Sequence, residues 1–256
     1  MRIISIQNNQ YRQNSKAFGS FHRDVVSKPL FCKEKLLYRN DTSFFRDCDF
    51  WPKLSDYLIK KYKDVPKVNV YSYGCSEGSE PYTFIMSMVS KLGENAKKFF
   101  PVIAKDRDFF VINLAKSRDW YFLKDEEKAV INANTRSCFN RFFKEIDSNY
   151  VFVTDELYDN VNFSVADINK DYKKISPKNS IVFVRNFWPY LKDNDARQKL
   201  LNNLYKQLDK DSMIIIGLFD KMGTNYEIID LVTNAGFKPT KIDFVYEKLE
   251  NNTGKI

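Results

Sequence analysis

The chain has 256 residues, a hydrophobic content of 43% and an aromatic content of 16%, which exclude a disordered polymer and allow a sizeable core. It contains no run of about 18 apolar residues, and its first residues carry too short an apolar run for a signal peptide, so we expect no membrane insertion. Four widely separated cysteines (Cys32, Cys48, Cys75 and Cys138) argue against a disulfide framework or a zinc site and favour a cytoplasmic protein.

The net charge of +8 is concentrated near the N-terminus. Residues 1–67 hold 14 Lys/Arg against 7 Asp/Glu, whereas residues 68–256 hold 27 against 26. A positive field of this kind attracts an acidic protein or, as an alternative, a nucleic acid. A solvated helical surface explains the same surplus equally well.

The predicted elements begin after a weakly patterned arm at residues 1–37, and the main domain is predicted to span 38–256. Apolar spacing indicates a helix within 43–62. Short apolar strands then alternate with amphipathic helices, which predicts an α/β fold with a parallel sheet. The predicted strands are 68–73, 100–104, 161–165, 180–184 and 212–217, and the predicted helices are 80–92, 107–117, 193–209 and 224–235.

Two regions depart from this alternation. Residues 118–160 are less regular and predict a small, partly β insertion, with a helix at 135–144 and short strands near 149–153. Residues 236–246 predict a hairpin or a final pair of strands.

The segment 68–82, V-N-V-Y-S-Y-G-C-S-E-G-S-E-P-Y, predicts a buried strand, a glycine turn and a helix that begins near Glu80. Gly74 and Gly78 permit positive φ angles and the close approach of a ligand to the backbone. A strand, a glycine turn and a helix N-terminus together form a common binding corner for nucleotides. This turn lacks both the Lys-Ser/Thr ending of a P-loop and the G-x-G-x-x-G spacing. The carboxylate of Glu80 would repel a phosphate and attract an amine.

Polar residues also follow three other predicted strands, at Asp106, Asp167 and Asn186. Ligands of α/β sheets bind at the carboxyl ends of the strands, so we expect these residues and the glycine turn to form one site. A carboxylate at Asp106 can accept hydrogen bonds from both hydroxyls of a ribose. Its alternative role is to cap the next helix, which Asp108 is also placed to do.

The single histidine, His22, lies in the N-terminal arm, which argues against a His-based triad or a His-rich metal site. Chemistry without a general base agrees better with this composition. A carboxylate is already ionised at neutral pH and can attack an activated methyl group once the two are correctly positioned.

Four motifs, in chain order, resemble those of the CheR family, the chemotaxis-receptor glutamate O-methyltransferases. The resemblance extends over residues 38–220 and includes the R-F-F at 141–143, where the family has R-Y-F ahead of a short hairpin. The four motifs are N-D-T-S-F-F-R at 40–46 for N-x-T-x-F-F-R, G-C-S-E-G-S-E-P-Y at 74–82 for the S-adenosylmethionine (SAM) loop G-C-S-T-G-E-E-P-Y, A-K-D-R-D at 104–108 for A-x-D-x-D, and R-N-F-W-P-Y at 185–190 for R-N-x-x-x-Y.

The resemblance implies a Rossmann-like class I SAM methyltransferase, in which a mostly parallel seven-stranded sheet has helices on both faces. It implies SAM as cofactor and S-adenosylhomocysteine as product. The implied cofactor-binding residues are Asn40, Thr42 and Arg46 at the methionine end, Gly74, Gly78 and Glu80 in the loop, with Glu80 on the methionine amine, Asp106 on the ribose, Asp167 and Ile168 beside the adenine, and Asn186 and Phe187 near the methyl group. The implied catalytic residues are Arg46, Asn186 and Tyr190, although Tyr190 could instead pack on the end of the sheet.

The resemblance also implies O-methylation of a protein glutamate. Two alternatives stay open. The segment N-F-W-P-Y at 186–190 distantly resembles the N-P-P-Y motif of amino-methyltransferases, with one residue more, and this would point to RNA or a small molecule as acceptor. The short segment before the first motif and the altered loop residues Glu77 and Ser79 would agree with a non-catalytic module that binds SAM.

Overall fold

The computed structural model describes residues 31–32, 35–36, 42–118 and 121–249. By its internal contacts the chain divides into two units, residues 1–41 and residues 42–256. The described part of the first unit is an antiparallel pair, β1 (Phe31–Cys32) and β2 (Lys35–Leu36). The main sheet, the core and the candidate site lie in the second unit. The predicted division into an arm at 1–37 and a domain at 38–256 stays a prediction.

The second unit contains two sheets. Its strands are β3 (Asn69–Tyr73), β4 (Val102–Asp106), β5 (Tyr121–Phe122), β6 (Phe143–Glu145), β7 (Tyr150–Val153), β8 (Val161–Val165), β9 (Ser180–Phe183), β10 (Met213–Ile215), β11 (Lys238–Pro239) and β12 (Val245–Glu247). The larger sheet has seven strands in the order β11-β12-β10-β9-β3-β4-β8. The strands from β10 to β8 in this order run parallel, and β12 is antiparallel to both of its neighbours. The predicted mostly parallel seven-stranded sheet is therefore confirmed.

Helices cover both faces of this sheet. They are α1 (Phe50–Lys61), α2 (Ser79–Leu92), α3 (Phe109–Ser117), α4 (Asp125–Asn134), α5 (Phe139–Phe142), α6 (Asp155–Tyr158), α7 (Ile168–Asp171), α8 (Asn194–Gln207), α9 (Leu218–Gly223) and α10 (Glu227–Asn234). Successive residues of a strand point to opposite faces. Val70 and Ile181 accordingly pack with buried residues of α1 and α2, while Tyr71 and Val182 pack with those of α8 and α10. The predicted two-sided arrangement is also confirmed.

The helix predicted at 224–235 forms as α10, but it begins three residues later than predicted, at Glu227. Asn225 and Tyr226 precede it with φ angles of +49° and +69°. A right-handed helix cannot continue through consecutive residues in this left-handed conformation. These two residues separate α10 from α9, a short helix that the sequence did not predict.

The insertion at 118–160 holds a three-stranded antiparallel sheet in the order β5-β7-β6. The helix predicted at 135–144 is wrong, since only the short α5 and then β6 form there. Arg136 and Ser137 have φ angles of +55° and +60° and separate α5 from α4, which the sequence did not predict. Ile131 is the only buried residue of α4. The helix therefore has too narrow an apolar face for a clear helical period in its sequence. None of the described helices has the length and apolar character needed to cross a membrane.

Candidate functional site

The large sheet reverses its winding direction between β3 and β9. From β3 the chain proceeds outward through β4 to β8, and it then returns to the other side of β3 to form β9 and β10. Connections that leave adjacent strands in opposite directions open a cleft at the carboxyl ends of those strands. The glycine turn follows β3, and Arg185 and Asn186 follow β9. The topology therefore brings two of the sequence motifs to one cleft.

Both glycines of the turn have the positive φ angles predicted for them, +73° at Gly74 and +105° at Gly78. The Gly74 N–H donates to the Lys105 carbonyl at 2.8 Å, which joins the turn to the end of β4. A Cβ atom on Gly78 would lie 2.7 Å from Cζ of Phe163, so close packing requires a glycine there. Gly74 is exposed, and a Cβ atom there would meet only the Phe187 side chain, at 3.6 Å or more. Gly74 is thus the position at which bare backbone is accessible to a ligand.

Asp106 lies buried at the end of β4 and is joined to the glycine turn. Its Oδ2 accepts from the Ser76 N–H and its Oδ1 from the Asp108 N–H, both at 2.9 Å. Burial raises the pKa of Asp106, and these N–H donors oppose the rise. Asp108 caps α3 by accepting from the Phe110 N–H at 2.8 Å. The capping role belongs to Asp108, and Asp106 supports the turn, while its contact with a ribose stays a prediction.

Glu80 lies in the first turn of α2, with 15% of its side chain exposed. Its Oε1 accepts from Oγ of Ser72 at 2.9 Å, and its Oε2 accepts from Nη1 of Arg185 at 3.2 Å. Burial raises the pKa of Glu80, and the positive charges of Arg185 and Arg46 oppose the rise. An ionised carboxylate offers about four acceptor positions. Glu80 can therefore also accept from an ammonium group.

Arg185 is the central cation of the site, and the predicted site residues did not include it. Its side chain is 3% exposed, and its Nη2 donates to Oδ2 of Asp47 at 2.7 Å. The guanidinium carbon lies 5.1 Å and 5.3 Å from the ring centroids of Phe50 and Trp51. Its Nε is buried and has no hydrogen-bond partner among the described residues. The sequence contained one signal for Arg185, namely a positive charge that follows the apolar end of β9.

The segment that precedes α1 is attached to α2. The Phe45 N–H donates to Oγ1 of Thr83 at 3.0 Å, and the Phe45 side chain is buried. Arg46 and Thr42 are half-buried. The structure thus brings Arg46 near Glu80, where its positive charge opposes the rise that burial causes in the pKa of Glu80. Asn40 lies outside the described residues.

Asn186 and Phe187 line the β9 side of the cleft. Asn186 has a φ of +63°, and its N–H donates to Oδ2 of Asp220 at 2.6 Å. Its side-chain Oδ1 is buried and has no hydrogen-bond partner in the part of the chain that the structure describes. The Phe187 ring stacks on Trp188 with centroids 5.0 Å apart, and it is the side chain nearest to Gly74. Phe187 therefore meets the glycine turn, and the Asn186 side chain lies beside Gly217.

Tyr190 ends a short 3-10 helix, Trp188–Tyr190, and is half-buried. Its ring lies 6.1 Å from that of Phe219 at the start of α9, which agrees with the packing role considered for it. A role for Tyr190 at the reacting methyl group stays a prediction.

Asp167 and Ile168 lie after β8, at the start of α7. Oδ1 of Asp167 accepts from the Asn169 N–H and from Nδ2 of Asn169, both at 3.0 Å, so Asp167 caps this helix. Ile168 is buried and packs with Tyr71 and its neighbours in the core. The structure gives both residues structural roles, and their contact with adenine stays a prediction.

Asp220 in α9 is a second residue that the sequence did not indicate. It is fully buried, and it accepts from the N–H groups of Asn186 and Gly217 through Oδ2, at 2.6 Å and 2.7 Å. Its Oδ1 accepts from the Trp188 N–H at 3.1 Å. Burial raises the pKa of Asp220 to about 7, although these donors and Arg185 oppose the rise. A single aspartate between Phe219 and Lys221 gave no sequence signal of this burial.

The residues at the switch point agree with SAM as ligand. Two buried polar atoms, Nε of Arg185 and Oδ1 of Asn186, belong to the segment that follows β9 and have no partner among the described residues. Buried polar groups in proteins are nearly always hydrogen-bonded, so unpaired ones at a cleft agree with a polar ligand. Glu80 is suited to the ammonium group of the ligand and Asp106 to its ribose hydroxyls.

Comparisons with known proteins agree with this site. Residues 40–235 match the CheR methyltransferase, SAM binding domain. The chain is 25% identical to the chemotaxis protein methyltransferase of Borreliella burgdorferi over 185 residues, which are 70% of this chain and 63% of that protein. It is 29% identical to the chemotaxis protein methyltransferase of Escherichia coli over 182 residues, which are 71% of this chain and 60% of that protein. The chain thus covers less than two thirds of the length of these relatives.

A solved structure, the TehB-like SAM-dependent methyltransferase from Corynebacterium glutamicum, is 13% identical, with a TM-score of 0.39 over 75% of this chain and 84% of that one. The assignment depends instead on the match over more than half of the chain, which includes the glycine turn, Glu80 and Asp106. The chain belongs to the CheR methyltransferase family, and its cofactor is SAM.

Proposed function

We propose that this protein transfers the methyl group of SAM to a carboxylate of a protein, namely a glutamate side chain. The observation that carries the proposal is the buried ion pair of Glu80 and Arg185 at the switch point, with Arg46 nearby. It combines an anion suited to the cofactor's ammonium group with cations suited to an anionic acceptor. The curated relatives are chemotaxis protein methyltransferases, which supports a protein as acceptor.

Each residue has a role in binding or orientation. Bound SAM supplies an electrophilic methyl group on a sulfonium sulfur. Glu80 holds the ammonium end and Asp106 the ribose, while Gly74 lets the ligand approach the backbone. Arg46 and Arg185 favour the ionised form of an acceptor carboxylate by their positive charge.

No residue of the chain has to remove a proton in this reaction. The acceptor carboxylate is ionised at neutral pH, because its unperturbed pKa is about 4. Catalysis then depends on bringing the two reactants into line in a site that excludes water. Among the described residues, the aromatic rings of Phe187 and Trp188 supply apolar surface on the β9 side of the cleft.

The same proposal gives the basic segment 1–67 a role in docking an acidic protein partner. The segment holds 14 Lys/Arg against 7 Asp/Glu, and this positive charge supports the role, because electrostatic attraction raises the rate of encounter with an acidic surface. An RNA partner would be attracted by the same charge, so the chemistry of the labelled product has to separate the two.

The experiment is methyl transfer from tritium-labelled SAM to a cell lysate and to a panel of acidic proteins, with the E80Q variant as control. We expect label on protein that alkali releases as volatile methanol, since carboxyl methyl esters are base-labile. Alkali-stable label on RNA or on a small molecule would overturn the proposed acceptor. Tight binding of SAM without any transferred label would identify a non-catalytic module.

A further inference from the structure

Asp220 connects the carboxyl ends of two neighbouring strands through one buried carboxylate. It accepts hydrogen bonds from three backbone N–H groups. Those of Asn186 and Trp188 lie in the segment after β9, and that of Gly217 lies in the segment after β10. All three backbone N–H groups donate to this one carboxylate, and hydrogen bonds of this kind stabilise its ionised form. Asp220 therefore holds the backbone on both sides of Phe187.

The segment that Asp220 holds contains a left-handed residue. Asn186 has a φ of +63°, a conformation that residues other than glycine adopt infrequently and that asparagine adopts more readily than most of them. A Cβ atom on Gly217 would lie 2.1 Å from Oδ1 of Asn186, so this side chain keeps its place only beside a glycine. Both Asp220 and Gly217 thus contribute to the position of Asn186.

We infer that Asp220 is a positioning residue for the cofactor, whose ionised carboxylate fixes the 186–188 segment so that Asn186 and Phe187 face the switch-point cleft. Asp220 itself is fully buried and is placed to act only through the backbone of this segment. The inference rests on the proposed location of SAM in this cleft, but it does not depend on the identity of the methyl acceptor.

The charges around Asp220 predict when it is ionised. Burial raises the pKa of Asp220 to about 7, and Arg185 is the cation that opposes the rise. The 3-10 helix that ends at Tyr190 and α10 both pack on α9. In α10, Glu227 accepts from Nδ2 of Asn194, and Asp230 is exposed. Protonation of Asp220 would remove an acceptor for the N–H groups and loosen the segment.

The test measures SAM binding by calorimetry, without any acceptor, for the wild type and for the variants D220N, G217A and D64N. In D64N an exposed aspartate whose side chain is 84% accessible is changed in the same way. Between about pH 8 and pH 6 we expect the SAM affinity of the wild type to fall, and to fall by up to about tenfold more than the affinity of D220N. The reason is that only about a tenth of a group with a pKa near 7 is ionised at pH 6. Comparison with D220N removes the titration of the ligand's own amine.

At about pH 8 we expect D220N to bind SAM at least about tenfold more weakly than the wild type, G217A to bind it more weakly too, and D64N to match the wild type. A folded D220N with wild-type affinity and pH profile would overturn the inference. If D220N does not fold, wild-type affinity in G217A would overturn it. If the binding results are as expected but the wild type transfers no methyl group to a protein, the proposed function is refuted and the inference about Asp220 stands.

Discussion

Arg185 donates to Glu80 across the switch point, with 3.2 Å between Nη1 and Oε2, and this pair joins the end of β9 to the first turn of α2. Asp47 accepts from the other terminal nitrogen of the same guanidinium, at 2.7 Å. The residue expected to bind the methionine amine is therefore also part of a buried ion network. Binding and stability can be separated by substituting one partner at a time.

Substitution of Glu80 should weaken only ligands that carry the amino-acid part of SAM. We expect E80Q to lower SAM affinity by about 10- to 100-fold, the value of a lost hydrogen bond to a charged group, about 1.5–3 kcal/mol. Binding of methylthioadenosine, which lacks the ammonium group, should be unchanged in E80Q. Calorimetric titration of both ligands is the measurement, and equal losses for the two would contradict the assignment.

Substitution of Asp106 should instead weaken both ligands, because both carry the ribose. We expect D106N to lower the affinity for SAM and methylthioadenosine by a similar factor of about tenfold, or about 1.4 kcal/mol. The measurement is the same pair of titrations. D108N is the matched control, since Asp108 caps α3 and its loss should reduce stability more than affinity. An effect of D106N on SAM alone would place the ribose elsewhere.

Removal of the Arg185 cation should destabilise the fold, because it leaves two carboxylates without their partner in a buried place. We expect R185M to lower the free energy of unfolding by about 3–5 kcal/mol, as for other broken buried ion pairs. Chemical denaturation is the measurement. The control is K97M, which breaks the exposed Lys97–Glu94 pair and should cause no measurable change. A loss as small in R185M as in K97M would show that the network does not contribute.

Because of the buried carboxyl group of Glu77, we expect the free energy of unfolding to fall as pH rises. Burial, and then repulsion from Glu127, raises the pKa of Glu77 to about 7. A carboxyl group with a raised pKa in the folded state favours folding while it is protonated, so its contribution is lost between about pH 4.5 and pH 7. We expect E77Q to be more stable than the wild type by about 1–3 kcal/mol at pH 8, and by much less at pH 5.

Thermal and chemical unfolding at the two pH values measure this difference. E126Q serves as control, because Glu126 is exposed on the same helix as Glu127. An E77Q variant that is no more stable at pH 8 than at pH 5, relative to the wild type, would rule out a charged Glu77 as the cause.

The two glycines Gly78 and Gly93 separate the effects of backbone conformation and of packing. Both have positive φ, but a Cβ atom would lie 2.7 Å from Phe163 at Gly78 and would meet nothing within 4 Å at Gly93. We expect G93A to lower the free energy of unfolding by about 1 kcal/mol, and G78A by a further 1–3 kcal/mol or so from overpacking. Equal losses in denaturation experiments would show that the Gly78 environment can relax.

Local sequence patterns were sufficient for the strands of the parallel sheet and for the glycine turn after β3. β3, β4, β9 and β10 are short and mostly buried runs, and the edge strand β8 alternates buried and more exposed residues, so their length and burial pattern identify them. The helix predicted at 224–235 begins only at Glu227, because the left-handed Asn225 and Tyr226 precede it, and the apolar pattern does not show this conformation.

The sequence by itself determined the fold class, the family and the cofactor, since strands, glycine turns and helix starts are encoded within a few consecutive residues. It also identified Gly74, Glu80 and Asp106, which belong to such local motifs. Only the tertiary structure decided that Arg185 is the partner of Glu80, 105 positions apart, and that Asp220 holds Asn186, 34 positions apart. Ion pairs and buried hydrogen bonds depend on which strand ends become neighbours, and that order is a property of the whole sheet.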